Sequence, residues 1–212
     1  MSKFAVISIG LNATEAQVKR CMASVLCQRD VEVRHVIVDV TPQIPRLAAC
    51  ENLYNAVKGL DKETIVACVD LDDYLHNPLA LKRVQDEYDN GAWMTHGSFS
   101  DFECVGAYGP GEDFRTSRWR LSHLKTFKAG LFQKIPLEYL KLPDGSWDNK
   151  ANDRFFMPAM AELAGHERIH FIPDILYVYD RWCSAWNADT ETEQMSLRWS
   201  QQMKPLTKIE SY

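Results

Sequence analysis

The stretch from Thr64 to Pro78 constrains the fold of this chain more than any other. It begins with Ile-Val-Ala-Cys-Val, an apolar run with β-branched residues that is typical of a buried strand. The run continues directly into Asp70-Leu-Asp-Asp73, three carboxylates within four positions. Like charges this close repel one another and raise one another's pKa, so a bound cation is the simplest explanation for the cluster. The sequence therefore predicts a buried strand that ends in a cation-binding loop.

The Asp-x-Asp pair formed by Asp70 and Asp72 is the candidate metal and nucleotide site. Mg²⁺ and Mn²⁺ prefer oxygen ligands, and Mg²⁺ in particular binds proteins through one or two carboxylates while water and substrate phosphates supply the rest. The alternative is a simple turn, because Asp, Asn and Pro are turn formers and Asp73 or Asn77 could cap a following helix. An Asp-x-Asp pair alone does not decide between the two.

The segment before this stretch predicts the arrangement of the sheet. Phe4 to Ile9 is typical of a buried strand, Thr14 with Gln17 forms a capping-box pattern that opens a helix, and Val31 to Val40 is a second strand. A strand, a helix and a strand joined by short links predict a right-handed parallel crossover, in which ligands bind beyond the carboxyl ends of the strands. Asp39 and the Asp70 to Asp73 loop both lie at such ends.

Further elements continue the α/β pattern. Helices are predicted from Pro45 to Leu60, from Asn77 or Pro78 to Glu87, and up to Ala164, with strands at Ala92–Phe99 and Phe171–Tyr179. The chain turns polar from Glu191, which predicts a tail or a linker to further domains of a longer protein. At 212 residues, one substantial domain is expected.

The order of these elements resembles a known family. Cys50-Glu-Asn-Leu-Tyr-Asn-Ala-Val-Lys-Gly-Leu60, then the strand, then Asp70-Leu-Asp-Asp-Tyr-Leu75 and Pro78, resembles the family 2 glycosyltransferases of the GT-A fold. The resemblance covers most of the chain and implies a Rossmann-like αβα sandwich with a mostly parallel central sheet. It implies a single glycosyltransferase domain over residues 1–212, with a nucleotide-sugar and metal half at 1–95, an acceptor half at 96–190 and the tail at 191–212.

The resemblance also implies roles for individual residues. Asp39 stands where the family has the Asp that accepts a hydrogen bond from the uracil N3–H, and the loop of Ile9, Gly10 and Leu11 stands beside the same base. A UDP-sugar donor and Mn²⁺ or Mg²⁺, held by Asp72 and by Asp70, follow from the same match. The alternative for Asp39 is a turn, which Pro42 makes reasonable.

Asp153 stands where the family opens its acceptor-side helix with Glu-Asp; here the Glu is replaced by Asn152. The match implies that Asp153 is the general base, and a single base without a nucleophile implies inversion at the anomeric carbon. The alternative is that Asp153 caps the helix.

Three positions depart from the family pattern. Val40 replaces a second Asp, Glu51 replaces an Arg, and Trp182 replaces a His. Contacts of the lost Arg and His with the diphosphate or the metal are therefore unsupported.

The implied reaction transfers a hexose or deoxyhexose from the UDP-sugar to a glycan hydroxyl. One alternative is a sugar nucleotidyltransferase, but no Gly-rich loop with Arg and Lys follows Ile9. Another is a non-catalytic module that binds nucleotide sugars or glycans, because the three departures weaken the case for catalysis.

Composition narrows the partners and the compartment. A formal net charge of -5 without a basic stripe argues against nucleic-acid binding. No apolar run is long enough for a signal peptide or a membrane span, so a cytoplasmic protein is expected. Six cysteines without a Cys-x-x-Cys pair predict reduced core thiols.

Three other motifs have competing interpretations. His166-Glu-Arg-Ile-His170 matches the zinc-peptidase motif, but the following residues have strand composition, so a chance match is favoured. The loop from Gly106 to Gly111 is either an active-site flap or an ordinary surface loop. A basic cluster, which could face a diphosphate, is expected mostly on a solvated helix face; it consists of Arg115, Arg118, Arg120, Lys125 and Lys128.

Overall fold

The computed structural model describes residues 3–39, 47–100, 106–148, 152–180 and 190–212. Its strands are β1 (Lys3–Gly10), β2 (Glu32–Asp39), β3 (Ile65–Cys68), β4 (Tyr74–Leu75), β5 (Met94–Phe99), β6 (Lys125–Lys128) and β7 (Ile169–Val178). Its α-helices are α1 (Glu15–Leu26), α2 (Ala49–Val57), α3 (Ala80–Asp89), α4 (Ala129–Gln133), α5 (Asp153–Ala164) and α6 (Thr190–Gln202). Short 3₁₀ helices lie at Leu137–Leu140 and His166–Arg168.

The strands form a mixed, mostly parallel sheet with the order β2-β1-β3-β6-β5-β7-β4. β1 pairs in parallel with β2 and β3, and β5 pairs in parallel with β7. β6 is antiparallel to both β3 and β5, and β4 is antiparallel to β7. The predicted parallel crossover through α1 is therefore present.

Helices cover both faces of the sheet, as the αβα prediction requires. Alternate residues of β1 point to opposite faces, so Ile7 packs with α2, α4 and α5 while Val6 packs with α1 and α3. The capping box of α1 is confirmed, because the Thr14 hydroxyl accepts the Gln17 N–H and the Gln17 side chain accepts the Thr14 N–H. The fold class is thus the predicted α/β sandwich.

The zinc-peptidase match is a chance match, as expected. His166 lies in a 3₁₀ turn and His170 lies in β7, so the two rings are not on one helix face. The His170 imidazole instead pairs with Glu87 of α3 at 2.7 Å. In the described part of the chain, no helix is long and apolar enough to cross a membrane.

The polar segment after Glu191, which the sequence predicts to be a tail or a linker, packs against the rest of the domain. Residues 190–202 form α6, and the chain then returns along α5, where the Ile209 N–H donates to the Leu163 carbonyl at 3.0 Å. Tyr212, at its end, packs edge-on against Trp93 with ring centroids 4.7 Å apart. The composition of a polar helix does not show which surface of the protein it packs against, so the sequence did not predict these contacts.

A buried ion pair connects this C-terminal segment to the domain. The Arg115 Nε lies 2.6 Å from the Glu162 carboxylate of α5, and both side chains are less than 10% exposed, at 1% and 7%. Arg115 also donates to the Ser200 carbonyl, and Glu162 accepts the Leu206 N–H. Arg115 is therefore not on a solvated helix face, contrary to the prediction for most of the basic cluster.

Glu162→Gln should destabilise the protein by about 3 to 5 kcal/mol, because the Arg115 guanidinium stays buried without its counter-charge. The control is Glu210→Gln, which removes an exposed partner of Arg168 and should cost about 1 kcal/mol or less. Urea unfolding followed by circular dichroism measures both. Equal free energies of unfolding for the two variants would contradict the assigned role of the pair.

Candidate functional site

The carboxyl ends of β1, β2 and β3 meet at one edge of the sheet. Gly10 and Asp39 are register partners in the last pair of β1 and β2, so the two predicted base-binding segments are adjacent. The hydrogen bonds between β1 and the β3 segment extend beyond the last residue of β3, because the Leu71 N–H donates to the Ile9 carbonyl at 3.2 Å. Side chains of Asp39 and of residues 40–46 lie outside what the structure describes.

Gly10 lets the Asp-x-Asp loop approach β1. A Cβ atom at Gly10 would lie 2.4 Å from the Leu71 Cβ, closer than two such carbons can come. Leu71 is buried, whereas Asp70 and Asp72 on either side of it are half-buried. The buried Leu71 therefore fixes the loop against β1, between two carboxylates that stay partly accessible. Leu11, the third predicted loop residue, is 44% exposed.

Asp73 has a structural role that its interpretation as a turn residue or helix cap did not predict. Its carboxylate is buried and accepts two hydrogen bonds, one from the Tyr177 hydroxyl at 2.6 Å and one from the Asp180 N–H at 2.8 Å. The Tyr177 oxygen in turn accepts the Asp70 N–H at 3.2 Å. Asp73 does not cap α3, whose first residue is Ala80. It anchors the loop to the end of β7.

Arg20 of α1 holds the other side of the loop. Its Nη2 donates to the Asp72 carbonyl at 3.1 Å and to the Asp180 carboxylate, and its guanidinium lies 4.6 Å from the centre of the Tyr74 ring. Arg20 and Asp180 thus connect α1, the Asp-x-Asp loop and β7. No local motif in the sequence marked either residue.

The carboxylates of the loop titrate above the usual range. Burial, followed by the charges of Asp72 and Asp153, raises the pKa of Asp70 to about 6, against the opposing effect of Lys125. Burial and the charge of Asp70 raise the pKa of Asp73 to about 7. Burial and the Asp180 charge also raise the pKa of Asp72. These carboxylates are therefore short of positive charge.

This shortage fits a hard divalent cation. In the described ranges, no group of three or more His, Cys, Asp or Glu side chains is placed to hold a metal ion. The carboxylates of Asp70 and Asp72 are the two candidate ligands, and water and a bound ligand would supply the remaining positions. Mg²⁺ typically binds in this way in sites that it shares with substrate phosphates.

Asp153 lies in a second charged group. It is the first residue of α5, and its Oδ2 is 2.9 Å from the Nζ of Lys125, the first residue of β6. The helix cap is Asn152, without a side-chain hydrogen bond, so the Asp153 carboxylate is engaged by Lys125 and is not the cap. Burial disfavours the ionised Asp153, but Lys125 outweighs this and lowers its pKa.

Lys125 belongs to the predicted basic cluster, and the structure places this lysine at the candidate site. It pairs in register with Cys68, two residues before Asp70, and burial opposes its charge while Asp153 and Asp70 raise its pKa. Lys128 lies at the other end of β6, with its Nζ 3.4 Å from Glu63. The prediction of a solvated helix face is thus wrong for Lys125, which lies on a strand.

Trp147 and the Gly-rich loop from Gly106 to Gly111 are among the described residues. The Trp147 ring lies 5.4 Å from that of Tyr54, with the Lys141 ammonium over it. Trp182 and Val40 are not among the described residues. The Gly-rich loop carries buried Tyr108, and the Gly109 N–H donates to Glu112.

No family model and no curated protein matches the chain. Solved structures do match it. S. aureus TarS in complex with UDP-GlcNAc is 17% identical over 91% of this chain and 64% of its own, with a TM-score of 0.57. The mannosyltransferase PcManGT from Pyrobaculum calidifontis, in complex with GDP-Man and Mn²⁺, is 15% identical over 92% of this chain and 62% of its own, with a TM-score of 0.58.

This chain thus spans less than two thirds of either matched chain. At these identities the similarity concerns the fold. Together with the sheet order and the two helical layers, it shows that the chain has the α/β fold of GT-A glycosyltransferase structures.

Proposed function

We propose that the protein is a metal-dependent glycosyltransferase that moves a hexose or deoxyhexose from a UDP-sugar to a glycan hydroxyl with inversion. The observation that carries the proposal is the presence of two carboxylate groups at one edge of a GT-A sheet. One is the Asp70 and Asp72 pair after β3, and the other is Asp153 at the start of α5. The complexes of TarS with UDP-GlcNAc and of PcManGT with GDP-Man and Mn²⁺ support a nucleotide-sugar donor and a divalent cation.

In this proposal Asp72 ligates the cation, and Asp70 lies nearer the ribose or in the outer coordination shell. When bound, Mn²⁺ or Mg²⁺ would neutralise charge on the leaving diphosphate. Arg20 and Tyr177 keep the loop in place without contributing ligands, through the Asp72 carbonyl and the Asp70 N–H.

Base recognition is proposed for Asp39 and for the Ile9 to Leu11 loop. The register pairing of Gly10 with Asp39 supports this placement, because both residues end their strands at the same edge. A carboxylate there can accept the N3–H of uracil.

Asp153 is proposed as the general base. Its carboxylate would take the proton of the acceptor hydroxyl as the new glycosidic bond forms. Because Lys125 lowers the Asp153 pKa, the carboxylate is ionised at neutral pH and can accept that proton.

The same ion pair favours a second candidate function, a non-catalytic nucleotide-sugar or glycan-binding module. A carboxylate with a lowered pKa is a weak base, and a binding module would need no base. Metal-dependent hydrolysis of a UDP-sugar without acceptor would support the enzyme, and donor binding without turnover would support the module.

Asp72→Asn should weaken Mn²⁺ binding in the presence of UDP by at least about tenfold, because an amide is a poorer ligand than a carboxylate for a hard cation. Asp86→Asn is the matched control, since Asp86 is a half-exposed carboxylate paired with Lys82 on α3. Isothermal titration calorimetry measures both. Parent-like affinity of Asp72→Asn would remove the metal site from this loop.

Mn²⁺ should raise the melting temperature more at about pH 7.5 than at about pH 5. The folded pKa of Asp70 is raised from 3.8 to about 6, so the metal-free folded protein binds more protons than the unfolded chain in that window. Its stability therefore falls as the pH rises through the window, and a cation that binds the ionised carboxylate offsets this loss. Differential scanning fluorimetry gives the two shifts, and equal shifts would contradict the prediction.

Asp153→Asn should lower the transfer rate by about 100-fold or more while UDP affinity stays within about twofold of the parent, because an amide cannot accept the proton. Asp144→Asn, at an exposed turn, is the control. Steady-state kinetics with a panel of nucleotide sugars, together with calorimetry, measures both quantities. Parent-like turnover of Asp153→Asn would exclude it as the base.

A further inference from the structure

Lys125 is a buried cation at a position where an apolar side chain could also fill the space. Its side chain is 9% exposed, and its ammonium forms an ion pair with Asp153 at 2.9 Å. Transferring a charge out of water is costly unless partners compensate it, and an apolar side chain in such a place often gives an equally stable protein. A buried Lys at this position therefore suggests a purpose beyond stability.

The backbone of Lys125 is held rigidly. Next to it, the Thr126 side chain is fully buried and its Oγ1 lies 2.6 Å from the Thr95 Oγ1 and 2.9 Å from the Tyr88 hydroxyl. Because β6 runs antiparallel to β3, its first residue lies at the carboxyl end of β3. The strand thus directs the Lys125 side chain to the candidate site from a fixed point.

The Lys125 charge acts on both carboxylate groups. Asp153 and Asp70 each raise the pKa of Lys125, and Lys125 lowers the pKa of each of them, while Asp70 and Asp153 repel one another. An ammonium is a compact charge with three donors, which suits a position between carboxylates on different elements.

We propose that Lys125 is a positioning residue: by holding the Asp153 Oδ2, it sets the acceptor-side carboxylate in register with the Asp-x-Asp loop. This inference rests on the proposed function. In the transfer step the acceptor hydroxyl gives its proton to the Asp153 Oδ1 and its oxygen bonds to the anomeric carbon. The bond from that carbon to the diphosphate breaks, and its electron pair leaves with UDP. Lys125 stays on Oδ2 and exchanges no proton.

The test compares Lys125→Met, Lys125→Arg and the matched control Lys128→Met, which removes an ion-paired Lys from the far end of the same strand. In Lys125→Met the acid limb of the kcat profile against pH should move up by at least about one unit, because Asp153 and Asp70 both lose the Lys125 charge that lowers their pKa. The KM for the donor should stay within about twofold, and Lys125→Arg should restore most of kcat. Lys128→Met should leave the profile unchanged.

A second measurement does not depend on activity. ¹³C NMR of Asp-labelled protein, with the Asp153 signal assigned through its absence in Asp153→Asn, gives the titration of this carboxyl group. Lys125→Met should raise its midpoint by at least about one pH unit. Lys125→Gln, which keeps a polar side chain, serves in place of Lys125→Met if the latter does not fold.

The outcomes separate this inference from the proposed function. If the parent transfers sugar and Lys125→Met keeps its kcat, pH profile and Asp153 titration, Lys125 does not position the base. If the parent transfers no sugar but the Asp153 titration shifts in Lys125→Met, the proposed function is overturned, and what remains is an ion pair in which Lys125 holds the Asp153 carboxylate. If neither activity nor a shift is found, both are overturned.

Discussion

The cost of burying several carboxylates together at the end of β3 is the constraint on which the site depends. Burial of Leu71 against Gly10 draws its acidic neighbours into a partly desolvated place, where ionisation is costly. Different groups stabilise different parts of the loop. The Tyr177 hydroxyl and the Asp180 N–H donate to the Asp73 carboxylate, and Arg20 donates to the Asp72 carbonyl. The side chains of Asp70 and Asp72 are only partly buried and are the two candidate ligands for a cation.

Sheet topology brings the second charged group to the same place. In a purely parallel sheet, the first residue of the strand beside β3 would lie at the opposite edge. Because β6 is antiparallel, its first residue, Lys125, meets the carboxyl end of β3 and reaches Asp153 of α5. The reversed strand therefore allows one lysine to act on carboxylates from two different elements.

The C-terminal segment belongs to the same packing. Arg115 and Glu162 form a buried ion pair, and the Ser200 carbonyl within α6 and the Leu206 N–H after that helix complete their hydrogen bonds. α5 thus carries Asp153 at its first turn and Glu162, the anchor of the C-terminal segment, about two and a half turns later. Contacts of the C-terminal segment with α5 can in this way affect the position of Asp153.

The sequence by itself determined the features that depend on residues close together in the chain. These are the α1 capping box, the order of strands and helices, the acidic loop after β3 and the chance nature of the His166 motif. Only the tertiary structure decided the charge partners. Lys125 and Asp153 are 28 positions apart, and Arg20 and Asp180 are 160 apart. Backbone periodicity and caps act within a few residues and leave a local pattern, whereas the partner of a buried charge is set by strand order and direction. In the sequence, Asp73 therefore resembles a helix cap and Lys125 resembles a surface lysine. In the folded protein, Asp73 accepts from Tyr177 and Lys125 pairs with Asp153.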